Sequence, residues 1–167
     1  MAVATPKSTL VSNYEADPPA MNAARDHRGR LRAAVATVEV AAAEDDGSKY
    51  VMVPVHSSWR VQHIWLYNDA ITGGTAYDVG LYETAANGGA AVDDDAYASA
   101  VDLSSARTAP LDAAFEARDI ANVTRQVWQD AGLSADPNKF YNLALTADTA
   151  GSGAGTITVV LAFAENA

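Results

Sequence analysis

The stretch KFYNLALTADTAGSGAGTITVVLAFA, residues 139–164, decides the fold class. In its first half Tyr141, Leu143 and Leu145 alternate with Asn142, Ala144 and Thr146. In its second half Ile157, Val159, Leu161 and Phe163 alternate with Thr156, Thr158, Val160 and Ala162. A period of two is the signature of a strand with one buried face. The intervening ADTAGSGAG is long for a hairpin and reads as a flexible loop. Working outward, the same signals recur. WRVQHIWLY (59–67) and TAYDVGLYE (75–83) are rich in aromatic and β-branched residues. KYVMVPV (49–55) is a short apolar run whose Pro54 suits an edge or a bulge. Ala34, Ala36, Val38 and Val40 alternate with Val35, Thr37 and Glu39, and Tyr97–Leu103 reads as a further strand. Asp46-Gly47 and Asn87-Gly88 supply turns between strands. Helix is expected in one place, VTRQVWQDA, capped by Asn122 and stopped by Gly132. PLDAAFEARD before it fits a helix or a short strand with Phe115 inward. Seven or eight strands and one or two short helices predict an all-β, jelly-roll-like β-sandwich; the long connections 86–96 and 104–137 suit Greek-key crossings.

The body spans residues 31–167, behind an extended N-terminal arm of residues 1–30. Pro6, Pro18 and Pro19 argue against regular structure there. The arm's apolar residues are isolated: Leu10, Val11, Tyr14 and Met21. With Arg25, Arg28 and Arg30 they are the candidate partner-binding residues. Net charge is −10 over 167 residues, and it is unevenly spread. Residues 1–32 sum to +2 and residues 33–167 to −12. So acidic a body repels phosphates, which argues against a nucleic-acid partner. No apolar run reaches the length of a membrane span, so no membrane partner is expected. The N-terminal residues lack the continuous apolar core of a secretory signal, so synthesis and use in a host cytoplasm are expected.

The residues that carry chemistry do not assemble into a motif. There is no cysteine, which removes thiolate metal sites and Cys nucleophiles. His27, His56 and His63 contain no His-x-His pair. Gly151-Ser-Gly153-Ala-Gly155 lacks a following Lys-Ser/Thr and leads into a strand, so it is not a phosphate cradle. Asp93-Asp94-Asp95, near Asp102, offers hard oxygen ligands for Ca²⁺ but lacks the Asp-x-Asp-x-Asp-Gly spacing; it reads as a solvated acidic loop. Ser57 and Ser58 beside His56 lack a nucleophile elbow. Trp59, Trp65, Tyr67, Tyr77 and Tyr82 form either core and interface or a sugar-stacking face. No enzyme activity, cofactor or metal is expected.

Three stretches resemble small structural proteins of tailed bacteriophages, in particular capsid decoration (cement) proteins. They are GRLRAAVATVEVAAAEDDGSKY (29–50), NDAITGGTAYDVGLYETAANGGAAVDDDAYASAVDL (68–103) and VWQDAGLSADPNKFYNLALTADTAGSGAGTITVVLAFA (127–164). The resemblance implies a jelly-roll-like body, an arm reaching over the major capsid protein, and trimers at local three-fold positions. It makes the expected function structural: binding and stabilising the outside of an assembled capsid, with the protein located on the virion. The alternative is a virion fibre or adsorption module that binds host glycan through an aromatic face.

Overall fold

The computed structural model describes residues 5–22 and 30–165. Eight strands form the body: β1 (Leu31–Val40), β2 (Lys49–His56), β3 (Arg60–Asn68), β4 (Ala76–Glu83), β5 (Ala91–Val101), β6 (Arg107–Asp112), β7 (Phe140–Thr149) and β8 (Gly155–Ala164). Among the described residues, two short helices accompany them, α1 (Thr9–Tyr14) in the arm and α2 (Val127–Asp130) in the β6–β7 connection.

The strands form two antiparallel sheets, ordered β1-β8-β3-β6 and β2-β7-β4-β5. The pairs β1·β8, β2·β7, β3·β6 and β4·β5 describe one long hairpin folded at the β4–β5 turn. Rolling that hairpin makes the further pairs β3·β8 and β4·β7. This is a jelly roll, with successive odd–even strands split between the sheets. The alternation read from the sequence faces the inside. Ile157, Val159 and Leu161 from β8 and Leu143 and Leu145 from β7 are fully buried against Val61, Ile64, Leu66, Tyr77, Val79 and Leu81. Removing such a side chain costs about 2–5 kcal/mol.

β4 is buried on both faces, because β5 bulges over it. Val79 pairs with Ala98 but Leu81 with Asp93, so β5 carries extra residues against β4. The bulged backbone lies directly over Gly80: a Cβ there would come within 2.2 Å of the Asp93 carbonyl oxygen. Asp93–Asp95 therefore belongs to a strand and not to a loop. At the other end, the 151–155 glycines are also packed. Ser152 N–H donates to the Thr72 carbonyl at 2.8 Å, and a Cβ on Gly151 would meet the Gly74 nitrogen at 2.4 Å. The expected flexible loop is thus a docked one, and its glycines allow backbone to lie on backbone.

Helix differs most from expectation. Asn122 closes a 3₁₀ turn, Ile120–Asn122, and α2 spans only Val127–Asp130. Gln126 caps it, with Gln129 returning the bond in a capping box. PLDAAFEARD divides between the end of β6 and a 3₁₀ turn at Ala113–Phe115, with Phe115 half-buried. This connection is held by a buried ion pair. Arg118 Nε approaches Asp130 Oδ1 at 3.3 Å, off the angle of a hydrogen bond. Its other nitrogens donate to the Val61 carbonyl at 3.0 Å and the Asn122 carbonyl at 2.7 Å. Tyr97 donates to the second Asp130 oxygen at 3.2 Å. Burial outweighs the attraction of Arg118 and pushes the Asp130 carboxyl up to about 6.

Two predictions follow from this packing. Gly80→Ala forces strand backbone apart and lowers stability by about 1–3 kcal/mol or more, read as a fall in the denaturant midpoint. For Asp130, the folded chain binds more protons than the unfolded chain between the ordinary carboxylate value, 3.8, and about 6. Its contribution is therefore largest at acid pH and is lost as pH rises through about 6. Urea titrations across this window should show wild type losing stability with rising pH relative to Asp130→Asn; parallel curves would refute the assignment.

Candidate partner-binding surface

Exposed large apolar side chains occur in the arm and on the outer face of β1, and also elsewhere on the body at Val51, Ile120, Val123, Leu133 and Phe140. In the arm, Ser8 caps α1 by accepting from the Val11 N–H at 3.4 Å. Among the described arm residues the prolines thus leave room for one short helix, where a segment without regular structure was expected. The segment then folds back on itself. Asn13 Nδ2 donates to Asn22 Oδ1 at 2.8 Å, Asn22 Nδ2 to the Leu10 carbonyl at 3.1 Å, and Ala20 N–H to the Asn13 carbonyl at 2.9 Å. Lys7 and Glu15 form an ion pair across the helix. These bonds tie the segment to itself and leave its apolar residues outside. Met21 is 95% exposed, Tyr14 77% and Val11 42%, and no residue of α1 is buried. Leu10 is half-buried and Arg30 is exposed. Arg25 and Arg28 lie outside the described residues, as does His27.

The second place is the outer face of the β1-β8-β3 sheet. The register places Ala33 beside Ala162 and His63, Val35 beside Val160 and Trp65, and Thr37 beside Thr158 and Tyr67. Leu31 and Val35 are 61% and 68% exposed. The two threonine hydroxyls bond to each other at 2.9 Å. His63 stacks on Trp65 with ring centres 5.2 Å apart and Nδ1 2.5 Å from Asp112 Oδ2. Asp112 Oδ1 takes the Ile64 and Ala114 N–H groups, so the histidine is held by a residue that also shapes the chain.

The five aromatic residues do not make one platform. Tyr77 is in the core and donates to the Ala150 carbonyl at 2.9 Å. Tyr82 is buried under Lys49 and hydrogen-bonded to Thr146. Trp59 stacks on Phe163 at 4.3 Å, with Phe140 edge-on at 5.9 Å. Only Trp65 and Tyr67 of the five lie on the outer face of the β1-β8-β3 sheet.

Groups capable of chemistry are engaged structurally. His56 Nδ1 meets Ser58 Oγ at 2.8 Å, a contact two residues apart. Ser57 donates to Asp136 at 2.5 Å and accepts from the Lys139 N–H, pinning the start of β7. Among the described residues, the group of three with metal-ligating geometry is Asp93, Asp94 and Asp95, whose oxygens lie within 4.8 Å of one another. Sequence spacing pointed these carboxylates apart; the β5 bulge brings them together. Burial, then Asp95, pushes the Asp93 carboxyl up. Asp93 is half-buried and Asp94 and Asp95 are exposed, the setting of a solvated acidic patch. EDTA should therefore leave the melting temperature unchanged; a fall reversed by Ca²⁺ would assign the patch a structural ion.

No protein-family model matches the chain, and no curated protein matches it. Among solved structures, it is similar to a chain of the cyanophage Pam1 capsid asymmetric unit. The TM-score is 0.51 at 14% identity, covering 89% of this chain and 99% of that one. The two share a fold over nearly their whole lengths.

Proposed function

We propose that the protein is a structural component of a phage virion that binds the outside of the assembled capsid and stabilises it. On this reading it acts as a decoration or cement protein, by contact and not by catalysis. The observation that carries the reading is the pairing of a closed jelly-roll body with a separate N-terminal segment that turns its apolar side chains outward. Val11, Tyr14 and Met21 contribute little to the segment's own packing, and they suit pockets on a partner. The fold shared with a chain of a cyanophage capsid supports the same reading, and so does the family resemblance of residues 29–50, 68–103 and 127–164.

The partner in this scheme is the major capsid protein, together with neighbouring copies of the chain; a trimer on a local three-fold is the favoured arrangement. A shell filled with packaged genome is under outward load. Contacts spread across subunit junctions resist that load, and many copies in fixed geometry multiply weak individual contacts. The acidic body disfavours nucleic acid, and the described residues include no helix long and apolar enough to cross a membrane.

Deleting residues 1–24 should abolish co-sedimentation with assembled shells while leaving the far-ultraviolet spectrum and melting temperature of the body in place. Unchanged binding would remove the arm from the mechanism.

A further inference from the structure

A two-sheet sandwich has four edge strands, here β1, β6, β2 and β5. An edge exposes unpaired N–H and C=O groups, and proteins ordinarily blunt it with proline, lysine, bulges, charge or shortness. Three of these edges are blunted. β6 has six residues, Pro110 and a register shift. β2 carries Lys49, Pro54 and a shift between Val51 and Val53. β5 carries Asp93–Asp95 and three shifts. β1 has no proline, lysine or bulge and is not short. Its ten residues, LRAAVATVEV, pair with β8 in unbroken register, with charge only at Arg32 and Glu39.

We propose that the open edge of β1 pairs with β1 of a second copy of the chain, antiparallel about a two-fold axis centred on Val35. The sequence is self-complementary in that register. Opposed residues share a face, so the outer row aligns Val35 with Val35, Ala33 with Thr37 and Leu31 with Glu39. No like charges stand opposite one another. Charge selects the antiparallel arrangement. Arg30 and Arg32 flank the start of β1, whereas Glu39, Glu44, Asp45 and Asp46 follow its middle. A two-fold brings the basic end of one copy to the acidic end of the other; a parallel pairing sets like on like. Pairing also joins the two outer faces into one sheet surface and covers Val35, the most exposed large apolar residue of the body's strands. The interface is isologous and closes on itself, so it ends at two copies and does not propagate. It is compatible with trimers, since two-fold axes relate neighbouring three-folds on a shell. It does not rest on the proposed capsid function.

The chain has no cysteine, so single cysteines report the register without background. Residues opposed across a strand pair have Cβ atoms about 4.5–5.5 Å apart, near disulfide range. Mild oxidation of Val35→Cys should yield a covalent dimer on a non-reducing gel. Thr37→Cys should not, because Thr37 and its symmetry mate lie four residues out of step, about 13 Å apart. Val35→Lys places two cations together at the axis and should raise the dimer dissociation constant about tenfold, measured by sedimentation over a range of concentrations. Val35 and Thr37 are both solvent-exposed in the single chain, so each variant should keep the wild-type melting temperature at concentrations where the chain is monomeric. Absence of the Val35→Cys dimer, equal cross-linking by Thr37→Cys, or association unchanged by Val35→Lys would each overturn the proposal.

Discussion

Strand β8 hydrogen-bonds to β1 on one side and β3 on the other, and its inward row reaches the opposite sheet. The rest of the body is arranged around that strand. It lies near the C-terminal end of the described chain, yet it joins the first strand to the third. The sheet cannot be completed until the last strand is in place. Ile157, Val159, Leu161 and Phe163 share one core cluster with side chains from β3, β4 and β7. Non-local pairing of this kind makes folding slow for its size.

Closing such a roll requires backbone to pass over backbone. Gly80 under the β5 bulge and Gly151 against the 72–74 turn supply the two places where it does. Their absence of a Cβ has a consequence beyond fit. The bulge covers the outer face of β4, so Asp78 and Tyr82, outward-pointing by alternation, are buried, and Asp78 accepts the Ala100 N–H at 2.7 Å. The same bulge gathers Asp93, Asp94 and Asp95. An acidic patch and a doubly buried strand are two results of one irregularity.

The strands were legible because their signal is local. Period-two alternation at 141–146, 156–163 and 34–40 needs no knowledge of partners, and β7, β8 and β1 fall on those residues. Capping was less so. Asn122 and Gln126 are both capable of capping; the choice is made by Gln129 and by Gln126 Nε2 donating to the Ser58 carbonyl, 68 residues away. The bulge in β5 was illegible for a similar reason, since Asp93–Asp95 read as a loop until Gly80 is known to lie beneath. In the candidate surface, sequence singled out Leu10, Val11, Tyr14 and Met21 because they are sparse apolar residues among small and polar neighbours. It did not single out Leu31 and Val35. Alternation assigns residues to two faces but does not say which strand is left at an edge; that information is in the strand order alone.

The arm's internal structure bears on how it would act in the proposed strapping role. Ordering a coil costs roughly 1–2 kcal/mol per residue, and burying a large apolar side chain returns about 1.5–3 kcal/mol. Three isolated anchors do not offset the ordering of the whole segment from 5 to 22. A segment already tied by Asn13, Asn22 and the Ser8 cap has lost part of that freedom before it meets a partner. Docking then costs less, and sparse anchors become sufficient, the more so when each body is held in place by its neighbours. On the proposed reading, a short helix among prolines, which looks at odds with an extended strap, is what would let so few apolar residues hold one.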